Sequence, residues 1–255
     1  MDTAHLVDCE FKEPYTHPCR TYAEEVMRSH LFYMSIYEAA SNLDKSSQVL
    51  KRAGLQDLQP APEIFDGDRT QSYLQHFVKN RGIFLNMLYL HVVDNFLTYV
   101  SEIIGLIYRT KPETMKTGGQ VKLDFVLSHQ SMNEFIDALA EKQVHDLTYM
   151  SIRDLNEYLS DRLNFSLVED EKELAYLAEI VDIRNLLSHN RGAINALFVS
   201  RQPQYASMLG QTIEISAKKL PEDLKVLVRV VKNIDLRAIN KFSLPEFHGD
   251  KPSDQ

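Results

Sequence analysis

Apolar side chains recur every three or four positions along most of the chain, which is the spacing of one buried face of an α-helix. Residues 211–216 instead carry branched side chains in a strand-like pattern, and one short strand is predicted there. The sequence therefore predicts an all-α helical bundle. The predicted helices cover residues 21–52, 70–109, 131–145, 151–163, 171–190 and 221–241.

Residues that cap or start helices set the boundaries of these elements. Thr21 is predicted to cap the first helix and Gly54 to end it. Ser131 and Ser151 each precede an acidic residue by three positions, a spacing that predicts helix N-caps. Pro221 suits the first turn of the last helix, because the amide that proline lacks has no acceptor there.

Helix-breaking residues predict how the chain is organised. Residues 57–69 contain prolines, a glycine and four acids and are interpreted as a linker. Gly82 predicts a bend in the long second helix, because glycine has a weak helix propensity. We expect an N-terminal helical extension with its linker over residues 1–69, a helical domain over residues 70–242 and a flexible tail over residues 243–255.

The helix predicted at residues 171–190 has an apolar face and a polar face. At about 100° per residue, Arg184 and His189 are separated by about 140° around the helix. The polar face consists of Arg184, Asn185, Ser188 and His189, and the opposite stripe consists of Tyr176, Ile180, Ile183, Leu186 and Leu187. An ordinary solvated face, in a helix that stops at Asn190 and Gly192, would give the same pattern, so that interpretation stays open.

Arg184 and His189 are also residues of the types that RNA cleavage needs. Arginine keeps its charge at any working pH, and its planar fork fits phosphate oxygens. Histidine can give and take protons near neutral pH. Together they would supply charge stabilisation at phosphorus and general acid–base catalysis at the 2′-oxygen or the 5′-oxygen.

The sequence around this pair resembles a known motif. Asn185 directly follows the arginine, and Asn-Arg-Gly directly follows the histidine, within the string from Glu179 to Asn195. This string resembles the motif helix of the HEPN superfamily, whose small α-helical domains carry Arg-x(4–6)-His. The similarity extends in pattern over residues 70–242, and it implies a HEPN-like bundle. It further implies a homodimer in which the motif helices of two subunits meet across a two-fold cleft.

The resemblance implies a metal-independent endoribonuclease without a cofactor. His189 would remove the 2′-hydroxyl proton or protonate the leaving oxygen, and Arg184 would neutralise the charge that develops on phosphorus. Asn185 would position the histidine or the substrate, and Ser188 is a supporting candidate on the same face. Asp94, on the long second helix, is the expected acidic neighbour of the arginine, with Asn95 as its rival.

HEPN-like proteins often act in toxin–antitoxin, abortive-infection and antiviral systems, so an antitoxin or regulatory protein is a further expected partner. Two other functions stay open at this point. Some HEPN-like domains are non-catalytic dimerisation or regulatory modules, and others could hold RNA without cutting it. Residue identity does not separate these possibilities, because an intact motif is necessary for cleavage and not sufficient.

Charge is unevenly distributed along the chain. The net charge is −8, yet residues 184–241 contain ten basic and four acidic residues, which gives +6 and leaves −14 for the remainder. A basic segment beside the motif would attract a phosphate backbone. Arg191, Lys218 and Lys219 are therefore candidate RNA-binding residues. The alternative is that these side chains only solvate the last helix.

The remaining features narrow the class of protein. No N-terminal segment has the layout of a signal peptide, and two cysteines argue against a disulfide framework, so a cytoplasmic protein is expected. Polar residues interrupt the most apolar window, residues 83–107, which predicts a buried helix and no membrane span. No phosphate-binding loop, dinucleotide fingerprint or zinc-protease motif is present. His5, Cys9, His17 and Cys19 are poorly spaced for structural zinc, and no metal is expected.

Overall fold

The computed structural model describes residues 15–55, 72–116 and 120–247, and in these ranges the chain forms helices joined by short connections. The all-α prediction is confirmed. The α-helices are α1 His17–Arg52, α2 Tyr73–Thr110, α3 Leu123–Leu127, α4 Met132–Leu147, α5 Ile152–Leu163, α6 Glu171–Asn190, α7 Ala196–Arg201 and α8 Lys219–Phe242. Short 3₁₀ segments cover Pro112–Met115 and Pro203–Met208.

Helix α2 lies at the centre of the fold and packs against α1, α4, α6 and α8. Its C-terminal half is buried on several sides, with Val93, Phe96, Ile103 and Ile107 fully removed from solvent. By length and composition alone, α2 could cross a membrane, but half of its most apolar window is buried inside the fold. Such burial is what a core helix requires, because neighbouring helices take the place of water around its apolar side chains.

Helices α1 and α2 form a long antiparallel hairpin. Near its outer end, the Asp44 carboxylate accepts hydrogen bonds from the backbone amides of Tyr73 (2.7 Å) and Leu74 (2.9 Å), which lack partners within the first turn of α2. Near its inner end, the Asn95 side-chain amide donates to the carbonyl of Tyr22 at 3.1 Å. These contacts fix the register of the two helices.

Helix α1 starts four residues before the predicted position, because Thr16 and not Thr21 is its N-cap. The Thr16 hydroxyl accepts from the Cys19 amide at 3.3 Å and donates to the buried Asp235 carboxylate of α8 at 2.5 Å. The Thr16 amide donates to the same carboxylate at 2.8 Å. The prediction was wrong because the anchor of this cap lies more than 200 residues away in sequence.

The other predicted helix boundaries lie closer to those in the structure. Ser131 and Ser151 are the N-caps of α4 and α5, as predicted. Gly54 has a φ of +70° just after α1 ends, whereas α2 continues through Gly82 without interruption. Helix α8 begins two residues before Pro221, and the predicted linker at residues 57–69 lies outside the described residues.

The division of the chain into an extension, a domain and a tail stays a prediction. Cys19, Tyr22 and Val26 of α1 are nevertheless buried in the same core as α2. At the start of the predicted tail, Leu244 is buried and the Phe247 amide donates to the carbonyl of Tyr15 at 2.7 Å.

The strand predicted at residues 211–216 is wrong. Thr212 forms one isolated antiparallel bridge with Ala193, and no second strand of the described structure extends it into a ladder. The strand-like pattern still has a structural origin, because Ile213 and Ile215 are both buried while the residues between and beside them face outwards. Helix α7 and the following 3₁₀ segment, which the sequence pattern did not predict, precede this stretch.

We predict that Gly192→Ala lowers the free energy of unfolding by about 1–3 kcal/mol. Gly192 has a φ of +79°, and a Cβ atom there would lie 2.9 Å from the carbonyl oxygen of Ile213. Gly82→Ala is the matched control, because a Cβ atom at that helical position meets no other atom within 4 Å. The control should raise stability by about 0.5–1 kcal/mol. Urea denaturation of both variants measures the difference, and equal effects would contradict the close approach at Gly192.

Candidate functional site

Helix α6 carries the candidate motif between a buried and an open face. Its N-cap is Asp170, whose carboxylate accepts from the Glu173 amide at 2.8 Å. The buried face packs against α2, α5 and α8 through the following residues: Leu174, Leu177, Ala178, Ile180, Val181, Ile183, Leu186 and Leu187. The remaining arc of the helix turns the motif side chains towards the surface, as the apolar pattern predicted.

Arg184 is held in place by two acceptors. Its Nε donates to the Oδ1 atom of Asp94 on α2 at 2.5 Å, and its Nη1 donates to the Oδ1 atom of Asn185 at 2.9 Å. The arginine side chain is 24% exposed and the aspartate is about half exposed, so this ion pair lies at the rim of the core. Asp94 thus lies where the acidic neighbour of the arginine was expected, whereas its rival Asn95 holds Tyr22 of α1.

This arrangement leaves part of the guanidinium group open. Arginine has five N–H donors, and two of them are used by Asp94 and Asn185. The other three have no acceptor among the described residues. Because the two acceptors restrict rotation of the side chain, these donors point in a defined direction. A guanidinium group oriented in this way can bind the oxygens of a phosphate without first losing much side-chain freedom.

His189 lies in the last turn of α6 and is exposed to solvent, as is Ser188 beside it. In the described part of the chain, His189 makes no hydrogen bond, either to Asn185 or to any other residue. The structure therefore unites Arg184, Asn185 and Asp94 in one cluster, but it leaves the histidine outside that cluster.

The end of α6 is fixed by its backbone. Arg191 adopts a left-handed conformation with a φ of +52°, and the amides of Arg191 and Gly192 both donate to the carbonyl of Leu186. The Ile213 amide then donates to the carbonyl of Gly192 at 2.9 Å. The Arg191 side chain is exposed, and it has no ion pair within the described ranges. The segment after the motif thus holds an open cation beside the exposed histidine.

Lys218 and Lys219 differ in a way that their sequence does not reveal. Lys218 is 85% exposed and lies 3.8 Å from Glu222. Lys219 is 22% exposed, and its Nζ lies 3.2 Å from the buried carboxylate of Asp223 and 3.5 Å from that of Glu179. The structure therefore gives Lys219 internal partners, and it leaves Lys218 open to solvent.

Sequence reasoning missed the buried cluster around Asp223. The Tyr89 and Tyr176 hydroxyls donate to the Asp223 carboxylate at 2.9 and 2.7 Å, so α2 and α6 are joined to α8 at one point. Burial raises the pKa of both tyrosine hydroxyls above their ordinary value, which keeps them protonated as donors. Only the amphipathic pattern of α8 could have suggested that Asp223 faces inwards.

Two other acids on α6 hold the segment that follows the motif. Glu179 accepts from the Tyr205 hydroxyl at 2.8 Å, and Asp182 accepts from the Gln202 side-chain amide at 2.7 Å. Burial raises the pKa of the Tyr205 hydroxyl, which favours the donating form. These carboxylates, which lie within two turns before Arg184, are therefore engaged in fixing the fold.

The basic segment is partly neutralised by acids outside it. Four of its ten cations pair with acids that lie just before residue 184 in sequence and were therefore left out of the local charge count. The ion pairs are Arg201–Asp182, Lys219–Glu179, Arg229–Glu173 and Arg237–Glu169. Hence the +6 charge of residues 184–241 overstates the positive potential at the surface.

No group of three or more metal-binding side chains occurs among the residues that the structure describes. His5 and Cys9 lie outside those residues, and Cys19 is buried in the core. No protein-family model, curated protein or solved structure matches the chain. The candidate function thus rests on the motif and its geometry.

We predict that Lys219→Ala lowers the free energy of unfolding by about 1–3 kcal/mol, because it leaves the buried Asp223 without its cation. Lys218→Ala, the adjacent control, should change stability by less than about 0.5 kcal/mol. Urea denaturation at neutral pH measures both. If the two variants are equally stable, Lys219 has no structural role, and it is again a candidate RNA-binding residue.

Proposed function

We propose that this protein is a HEPN-like, metal-independent endoribonuclease. The observation that carries the proposal is the contact between Arg184 and Asp94. This contact orients the guanidinium group of the motif arginine towards the surface. An ordinary solvated helix face would not need a second helix to hold its arginine. The arginine, the adjacent asparagine and the exposed histidine together match the chemistry of the resembled motif.

In the proposed reaction, the 2′-hydroxyl of a ribose attacks the adjacent phosphorus. The new bond joins O2′ to phosphorus, and the bond between phosphorus and O5′ breaks. His189 takes the 2′-hydroxyl proton or gives a proton to the leaving O5′, and Arg184 stabilises the charge on the phosphoryl oxygens. The products are a 2′,3′-cyclic phosphate and a 5′-hydroxyl.

A homodimer would complete this site. One chain offers one arginine and one histidine, which are separated by about 140° around α6 and joined by no hydrogen bond in the described structure. A two-fold contact between motif helices would bring the arginine of one subunit near the histidine of the other. Asn185, which accepts from Arg184, would then orient the arginine more directly than the histidine.

One observation favours a second candidate function. Four of the ten cations in the basic segment are paired with acids of the preceding segment, which weakens the electrostatic attraction for RNA. A non-catalytic dimerisation or regulatory module would need no such attraction. Arg191 and Lys218 remain the exposed cations through which RNA would bind beside the motif.

We further propose a cytoplasmic role in a toxin–antitoxin or antiviral system, with an antitoxin or regulatory protein as the partner. A ribonuclease that needs no metal would otherwise act on the RNA of its own cell. This biological role rests on the resemblance of the motif alone, and the growth of cells that express the wild type or His189→Ala tests it.

We expect the purified protein to cleave single-stranded RNA in the presence of EDTA, because the motif supplies both the cation and the proton carrier. His189→Ala should lower the cleavage rate about 10²–10⁴-fold, which is the usual contribution of a general acid–base group. Cleavage of an end-labelled RNA and analysis of its termini measure the rate and the products.

His145→Ala is a matched control for this experiment, because His145 is also a histidine in the last turn of a helix, but on α4. It should cleave at the wild-type rate. Activity that disappears with EDTA and returns with magnesium would contradict the metal-free mechanism, and equal rates for the two histidine variants would remove His189 from the reaction.

A mixing experiment tests the shared site. Arg184→Ala and His189→Ala should each be strongly impaired as homodimers, whereas mixed dimers should regain up to one complete arginine–histidine pair. Restored cleavage after subunit exchange, measured together with the mass of the particle in solution, is the expected result. A fully active wild-type monomer at micromolar concentration would exclude the shared groove.

A further inference from the structure

A groove of about 350 Å³ lies between α1 and α2. Its walls are apolar and aromatic, and two basic side chains stand beside them. The residues that form it are Arg28, Ser29, Phe32, Phe84, Met87, Leu88 and His91. A concave, mostly apolar site with a few polar groups is the usual form of a small-ligand pocket.

The groove lies close to the candidate motif along α2. Met87, His91 and Asp94 share one face of α2, and all three have accessible side chains. At 1.5 Å per residue, His91 lies about 4.5 Å and Met87 about 10 Å along the helix axis from Asp94. Because Asp94 holds Arg184, the groove begins within two helical turns of the proposed phosphate site.

The groove contains an open aromatic surface. Phe32 is 60% exposed, and its ring centroid lies 6.3 Å from that of Phe84, with the planes inclined by 34°. Tyr33 packs behind Phe84 at 5.7 Å and supports it. A ring that is fixed on one side and exposed on the other is a platform for stacking, because solvent leaves that surface when a flat ligand binds.

We propose that this groove binds a base of single-stranded RNA, next to the phosphate that Arg184 engages. This inference rests on the proposed ribonuclease function. A nucleotide combines a flat ring with a negative phosphate. The groove offers the matching pair of features, since Phe32 and Met87 present apolar surface to the ring. Arg28, which also contacts Glu25, and His91 stand where the backbone would pass. Base stacking on aromatic side chains is largely independent of base identity, so the site favours single strands of varied sequence.

The central test compares Phe32→Ala with Val49→Ala. Val49 lies on the same helix and is similarly exposed at 63%, but it does not line the groove. In cleavage assays with a short single-stranded RNA, Phe32→Ala should raise KM about 5- to 100-fold, the loss of one base–aromatic stack. It should leave kcat within about two-fold of wild type, because the stack is remote from the reacting atoms. Val49→Ala should match wild type in both constants, and Phe32→Tyr should restore KM.

A second measurement locates the base. Under the proposal, the His189→Ala variant binds RNA without cutting it, so its Kd for RNA can be measured. The RNAs are fluorescein-labelled oligonucleotides in which one abasic ribonucleotide replaces each position in turn. At one position, removing the base should raise the Kd for His189→Ala. The rise should equal the one that the Phe32→Ala substitution causes with intact RNA. At that position, the Phe32→Ala substitution should cause no further loss.

The outcomes separate the two proposals. If wild type cleaves RNA and Phe32→Ala behaves like Val49→Ala, the base site is overturned and the ribonuclease function stands. If wild type binds RNA in a Phe32-dependent way without cutting it, the base site is supported and catalysis fails. If wild type does not bind RNA, both fail. If Phe32→Ala converts a dimer into monomers, the groove is a contact between protein chains and the base site is overturned.

Discussion

The burial of α2 is the constraint on which the rest of the structure depends. Four helices surround it, and four of its polar side chains connect it to three of them. Tyr89 and Tyr99 donate to buried carboxylates of α8, Asn95 holds α1, and Asp94 holds the motif arginine of α6. Because buried polar groups must find partners, these side chains also determine where each neighbouring helix can pack.

Electrostatic pairing between α6 and the chain after it gives the motif a rigid support. Glu173, Glu179 and Asp182 bind Arg229, Lys219 and Arg201, so the base of the motif helix is fixed to α8 and to the end of α7. The same pairing removes much of the positive charge that a phosphate ligand would meet. The candidate site is therefore rigid rather than strongly basic, and Arg184 is the cation that this framework holds in a defined orientation.

The exposed side chains near the motif lie on two surfaces with different chemistry. Ser188, His189 and Arg191 form an open polar edge at the end of α6, whereas the groove between α1 and α2 is aromatic. The Arg184–Asp94 ion pair links α6, which carries the polar edge, to α2, which forms one wall of the groove. A ligand with both charged and flat aromatic parts, such as single-stranded RNA, can contact both.

The sequence by itself determined the all-α class, the approximate extent of six helices and the polar face of the motif helix, because helical periodicity and serine N-caps are local properties. It also placed Asp94 near Arg184 through the resemblance of the motif. Only the tertiary structure decided that Thr16 caps α1, that Lys219 is an internal cation and that residues 211–216 form no strand. The cap depends on Asp235 and the lysine on Glu179, both distant in sequence, and within the described ranges no neighbouring strand extends the bridge at Thr212. Local patterns carry no information about such partners, since burial and pairing are set by which helices meet.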